Sequence, residues 1–219
     1  MEIISQIFIY GLPIILAITL HEAAHGFVAL NYGDDTAKRL GRVSLNPIRH
    51  VDLIGTFLLP AFLLLIGSPV LFGYAKPVPV NFSRLRSPRW DSVYVAGAGP
   101  LMNLFLAFIS ALLMHFLIFF PSGLEALFKE MLIVSVFINV TLAVFNMLPL
   151  LPLDGGRVLT GFLPDRMAIA FSRLEPYGLF IIIGLLLIPS FFGFSLIGWL
   201  ILHPIKLVIE IISFLAGLS

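Results

Sequence analysis

Apolar residues in this sequence are gathered into five runs, residues 3–30, 51–73, 93–120, 126–149 and 177–218. A helix needs about 20 apolar residues to cross a hydrocarbon core about 30 Å thick, and every run reaches that length. Across the 219 residues 59% are hydrophobic and only 11% charged, whereas soluble domains run nearer a quarter charged. That excludes an ordinary soluble domain, and a chain with 21 Phe is equally unlike a disordered one. The expected fold class is all-α: a polytopic helical membrane protein with about five to six membrane segments. One integral membrane domain is expected over residues 1–219, with no room for a separate soluble domain.

The chain has no cysteine, so disulfides, thiol nucleophiles and cysteine-ligated metals are excluded, and any metal must sit on His, Asp or Glu. A net charge of +1 with 13 dispersed Lys and Arg gives no field for nucleic acid. The first run carries Glu2 in place of a basic leader and contains His21, Glu22 and His25, unlike a cleavable signal peptide.

Residues 31–50 and 74–92 are basic loops. If residues 51–73 crossed the membrane, these loops would face opposite sides, against the rule that basic loops stay cytoplasmic. Pro60, Gly67 and Pro69 interrupt that run, which is too short to cross twice, so it is expected to be re-entrant. A plain spanning helix with a weak charge signal is the alternative. The re-entrant reading puts 11 of the 13 basic residues on cytoplasmic loops. Lys76 to Asn81, with Pro77 and Pro79, reads as an extended arm. Pro189 and Gly193 could turn residues 177–218 into two spans; the alternative is one span over 177–202, with Pro204 starting an interfacial helix.

His21-Glu22-Ala23-Ala24-His25 carries the chemistry. Histidines at i and i+4 share one helix face and can bind one Zn²⁺, and the adjacent Glu can serve as general base towards a water. With five His and six Glu, roughly 0.003 such matches are expected by chance. Ionisable groups within an apolar run are costly and mark function. A catalytic zinc takes three protein ligands, so one more is needed. Candidates in or beside apolar runs are Asp52, Asp91, His115, Asp154, His203 and Glu210. Asp154 stands out, because Pro149 and Pro152 unwind the end of the fourth run before it and Gly155-Gly156 follow. A helix C-terminal turn is the alternative use of such an Asp-Gly pair. Asn103 and Asn139 read as hydrogen bonds between helices. His50, two residues from Asp52, reads as a solvated loop histidine or else as a gating residue.

The H-E-x-x-H string, Ala98-Gly99-Pro100-Leu101-Met102-Asn103 and Asn146-x-x-Pro149-x-x-Pro152-x-Asp154-Gly155-Gly156-Arg157 together resemble the site-2 protease family of intramembrane zinc metalloproteases. The resemblance spans residues 15–160 and is closest to a compact prokaryotic type without a PDZ or nucleotide-sensing domain. It implies that His21, His25 and Asp154 hold one Zn²⁺ per chain, that Glu22 is the general base, and that Asn146 contacts the substrate or its oxyanion. It implies a catalytic core at about 3–160 and C-terminal membrane helices at about 165–218. The substrates would be transmembrane proteins, cut in or near the bilayer of a prokaryotic cytoplasmic membrane, with the active site nearer the cytoplasmic side. A helical substrate must be unwound before attack, and the arm ending at Asn81, or Arg42 to Leu45, could hold it as a strand. The rivals are a membrane peptidase whose third ligand is Glu125, Glu130 or Glu175, and a non-catalytic metal transporter or pseudoprotease.

Overall fold

A computed structural model describes residues 5–58, 62, 65, 76–191 and 196–218. A π-helical turn at Ile7–Gly11 leads unbroken into α1 (Leu12–Asn31), with Pro13 at the junction of the two. A short helix α2 (Thr36–Arg39), a 3₁₀ turn (Pro47–His50) and a π turn (Leu53–Leu58) follow. Asp52 Oδ1 opens the last of these by accepting from the amides of Ile54 and Gly55. Residues 76–81 form no helix, as two prolines in four residues dictate, and Asn81 at the end is extended.

Helix α3 (Pro88–Leu113) continues as a 3₁₀ segment to Phe119, and α4 (Ser122–Asn146) returns antiparallel to it. Then come α5 (Asp154–Phe162), α6 (Asp165–Ser172), α7 (Gly178–Phe191) and α8 (Leu196–Leu215). No strand occurs among the described residues. Among the described residues, three helices are long and apolar enough to cross a membrane: Phe8–Asn31, Pro88–Phe119 and Gly123–Asn146. The count of five to six segments expected is not established by these three. Most of the proposed re-entrant run 51–73 lies outside the described residues, as do residues 192–195 between α7 and α8. Pro204 lies within α8 and does not start a helix.

In lipid, apolar surface alone does not drive helices together, so they meet through small side chains and hydrogen bonds. Ala107 and Ala111 of α3 pack on Val136 and Val140 of α4, on Ile205 and Ile212 of α8 and on Ala216 just beyond it. Outward positions of the spanning helices carry exposed Phe8, Leu101, Phe105 and Phe137. A second cluster, Ala29, Leu85 and Val95 with Val80 and Phe82, closes the end of the bundle where α1 stops and α3 begins. There the Arg86 amide donates to the Tyr32 carbonyl at 3.0 Å. Arg89 on the first turn of α3 donates to the carbonyls of Gly161 and Leu163 and to Asp165, which ties down the end of α5.

Candidate metal centre

His21 and His25 lie one turn apart on the buried face of α1. Asp154 is the first residue of α5 and does not lie in a helix C-terminal turn. Leu153 before it is extended, and a carboxylate in a first turn suits the positive end of the helix dipole. The loop 147–153 folds back against this first turn. A Cβ at Gly155 would lie 2.3 Å from the Met147 carbonyl oxygen, and one at Gly156 would lie 2.5 Å from the Leu150 carbonyl carbon. Two glycines therefore let Asp154 reach α1.

The ligand atoms converge. His21 Nε2 and His25 Nε2 are 3.0 Å apart, and Asp154 Oδ2 lies 3.3 Å and 3.4 Å from them. Among the described residues this is the single group of three or more such side chains whose donor atoms all meet within 4.8 Å. The other ring nitrogens decide the protons. His25 Nδ1–H donates to the Val95 carbonyl at 2.6 Å, and His21 Nδ1–H donates to Asn103 Oδ1 at 2.5 Å. With Nδ1 engaged on each ring, Nε2 is the nitrogen that faces Asp154. Three such atoms this close repel one another unless a proton or a metal cation lies among them. Tetrahedral zinc with bonds of about 2.0–2.1 Å separates its ligand atoms by about 3.3 Å, so the donor set and its spacing fit that ion. Gly99 of α3 keeps the space open, since a Cβ there would sit 2.4 Å from His25 Nε2 and 2.5 Å from His21 Nε2.

Glu22 is half-buried beside the ligands in sequence, and its Oε2 accepts from the Val78 amide at 2.6 Å. Val78 also packs on α1 where Gly26 has no side chain, because a Cβ at Gly26 would meet Val78 Cγ1 at 3.0 Å and Val43 Cγ2 at 3.1 Å. The arm is anchored further along by Asp34, fully buried, whose carboxylate accepts from the amides of Asn81 and Thr36 and from the Thr36 hydroxyl.

The remaining sequence candidates are placed as follows. The Asn146 side-chain amide donates to Leu142 O at 3.0 Å, at the last turn of α4. Asn81 Oδ1 accepts from the amide and hydroxyl of Ser83 and caps the turn 82–84. His50 is buried, not solvated: its Nε2–H donates to Ser44 O at 2.9 Å, and its own carbonyl accepts from the Lys76 amide, which starts the arm. Glu175 is paired with Arg157 at 2.6 Å, and Glu125 and Glu130 lie on the first turns of α4, at the opposite end of that helix from Asn146. The sequence reading missed the contacts of Val78, Gly26, Gly99 and Asp34, and saw Asn103 only as a link between helices. Pro77 and Pro79 were a usable signal, because between them Val78 carries the single backbone N–H.

A His-Glu-x-x-His helix buried in an all-helical bundle with membrane-length helices, completed by a carboxylate from a later helix, defines a class: the membrane metallopeptidases. A family model described as peptidase family M50 matches residues 122–189. A Bacillus subtilis protein named "Putative zinc metalloprotease YwhC" is 39% identical over 81% of this chain and 80% of its own length. Proteins named "Putative zinc metalloprotease Rip2" from Mycolicibacterium smegmatis and Mycobacterium tuberculosis H37Rv are 28% and 29% identical, over 84% and 85% of this chain and 70% of theirs. No solved structure matches the chain. The chain belongs to peptidase family M50, the site-2 protease family.

Proposed function

We propose that the protein is an intramembrane zinc endopeptidase that cuts transmembrane proteins within or near their membrane segments. The observation that carries this reading is the meeting of three ligand atoms, from His21, His25 and Asp154, at 3.0–3.4 Å on a helix that also presents Glu22. These three residues would hold the ion. When bound, zinc supplies Lewis acidity towards a water and towards the scissile carbonyl. Glu22 takes the proton of the attacking water and delivers it to the leaving amine. Its Oε2 is engaged by Val78, which leaves Oε1 as the oxygen for that transfer. Asn146 donates its side-chain amide to the substrate carbonyl oxygen as charge develops there, exchanging its present bond to Leu142 O.

A non-helical arm held beside Glu22 by the Val78 amide supports the idea that an unwound substrate segment pairs there as a strand. The arm 76–81 and the stretch Arg42 to Leu45 are the candidate templates, with Asn81 and His50 securing the arm's two ends. The basic loops 31–50 and 76–89 lie at the metal end of the bundle, while the opposite turn, 114–125, has no Lys or Arg. Charge bias therefore favours a cytoplasmic metal end in a prokaryotic cytoplasmic membrane. Residues 1–219 act as one membrane protease domain, with its core at about 3–160.

The test is cleavage of a panel of single-span substrates by purified protein in proteoliposomes. The wild type should cut, Glu22→Gln should bind zinc without cutting, and Asp154→Asn should lose the metal. Cleavage by Glu22→Gln at the wild-type rate would overturn the assignment of the base.

A further inference from the structure

We propose that Asn103 is a positioning residue for the metal centre: backed by Asn139, it holds His21 in the one tautomer that can bind the ion. The inference rests on the reading of His21 as a ligand and goes beyond it. Asn103 and Asn139 are buried in the middle of α3 and α4, at 0% and 1% exposure, where no solvent can replace a lost hydrogen bond.

The chain of bonds has a fixed direction because it ends on backbone carbonyls, which only accept. Asn139 Nδ2 donates to Ser135 O at 2.9 Å, which turns Asn139 Oδ1 towards α3. Asn103 Nδ2 donates to that oxygen at 2.9 Å and to Ala17 O at 3.2 Å. Asn103 Oδ1 must therefore face His21, at 2.5 Å, and His21 Nδ1 must carry the proton. Flipping the Asn103 amide would set its oxygen against the two oxygens of Ala17 and Asn139. Nε2 is left with its lone pair free. An imidazole not held this way spends part of its time with the proton on Nε2, where it cannot ligate. Outer partners of metal-bound histidines commonly change metal affinity by about 10–100-fold. His25 needs no such relay, since Val95 O, itself a backbone carbonyl, receives its Nδ1–H directly.

The experiment uses the full chain in detergent, with zinc affinity measured against a chromophoric chelator and histidine tautomers read from ¹⁵N shifts of the metal-free protein. Wild type should show His21 as Nδ1–H; an Nε2–H form would overturn the proposal without recourse to any variant. Asn103→Leu, which keeps the volume, should weaken zinc about 10–100-fold and give His21 a mixture of tautomers. Asn139→Leu should weaken zinc by a smaller factor, because Ala17 O still orients Asn103. Ser135→Ala should change nothing, because its carbonyl holds Asn139. Zinc affinity within about twofold of wild type in Asn103→Leu, with His21 still Nδ1–H, would overturn the proposal. His21→Ala separates the two readings: if it binds zinc as wild type does, the ligand assignment has failed. If it loses zinc while Asn103→Leu does not, the relay alone has failed.

Discussion

The backbone amide of Val78 donates to the carboxylate of Glu22 across 56 positions of sequence, at 2.6 Å. One oxygen of the proposed base is thus held by the arm, and the arm's lie against α1 depends on the missing side chain at Gly26. A large residue there has nowhere to go but through Val78 and Val43. Gly26→Leu should displace the arm, free Glu22 to adopt other rotamers, and lower kcat at least about tenfold, the scale of a misplaced catalytic group. Zinc content should stay at the wild-type level. Cleavage rates set beside metal analysis check this, and unchanged kcat would separate the arm from catalysis.

Two glycines two residues apart on α3 make a controlled pair. A Cβ at Gly99 would lie 2.4–2.6 Å from atoms of both ligand histidines, whereas one at Gly97 meets nothing within 4 Å. Gly99→Ala should strip most of the zinc and all proteolysis, and Gly97→Ala should retain both. Metal content after gel filtration reads the difference.

Metal removal should be felt as lost stability, because the ion joins α1 to α5. Zinc present at 100 times its Kd adds about 2.7 kcal/mol. A chelator should lower the melting temperature of wild type, and added zinc should restore it. Asp154→Asn should melt like the chelated protein with or without zinc. Glu175→Gln breaks only a half-exposed pair with Arg157, of the kind worth about 0–1 kcal/mol, and should still respond to zinc. A zinc response in Asp154→Asn would remove Asp154 from the ligand set.

Asp34 gives a pH dependence of known sign. Burial opposes its charge, but the Thr36 hydroxyl, the amides of Asn81 and Thr36 and the charge of Arg84 outweigh burial and hold its carboxyl below the ordinary value. The native state therefore binds fewer protons than the unfolded state through that range. The stabilisation is complete above the unfolded value of about 3.9 and is lost as pH falls through the lower native value. Asp34→Asn puts an amide nitrogen opposite either the Asn81 or the Thr36 amide and should cost about 1–3 kcal/mol. Melting temperatures of wild type and variant from pH 7 to pH 3 check this: the gap should be constant down to about pH 4 and narrow below it.

Local pattern made much of the protein legible in the sequence. Runs of about 20 apolar residues announce membrane helices because lipid leaves the backbone no partner but itself. The i, i+4 spacing puts His21 and His25 on one face of any helix, and two prolines in four residues forbid a helix over the arm. The short helices α5 and α6 were not legible, since neither is long enough for its periodicity to show. Of the five to six spans expected, three helices qualify among the described residues.

What the sequence determined by itself is the solvent, the helical class, the ligand pair and the acid beside it, all properties of residues within one turn or one run. Only the tertiary structure decided which carboxylate meets the histidines, which ring nitrogen each turns towards it, and what holds Glu22. The last two of those choices join residues 56, 70 and 82 positions apart, and the first joins residues further apart still. They depend on where a backbone carbonyl or amide is left pointing after helices pack, and no side-chain pattern along the chain encodes that.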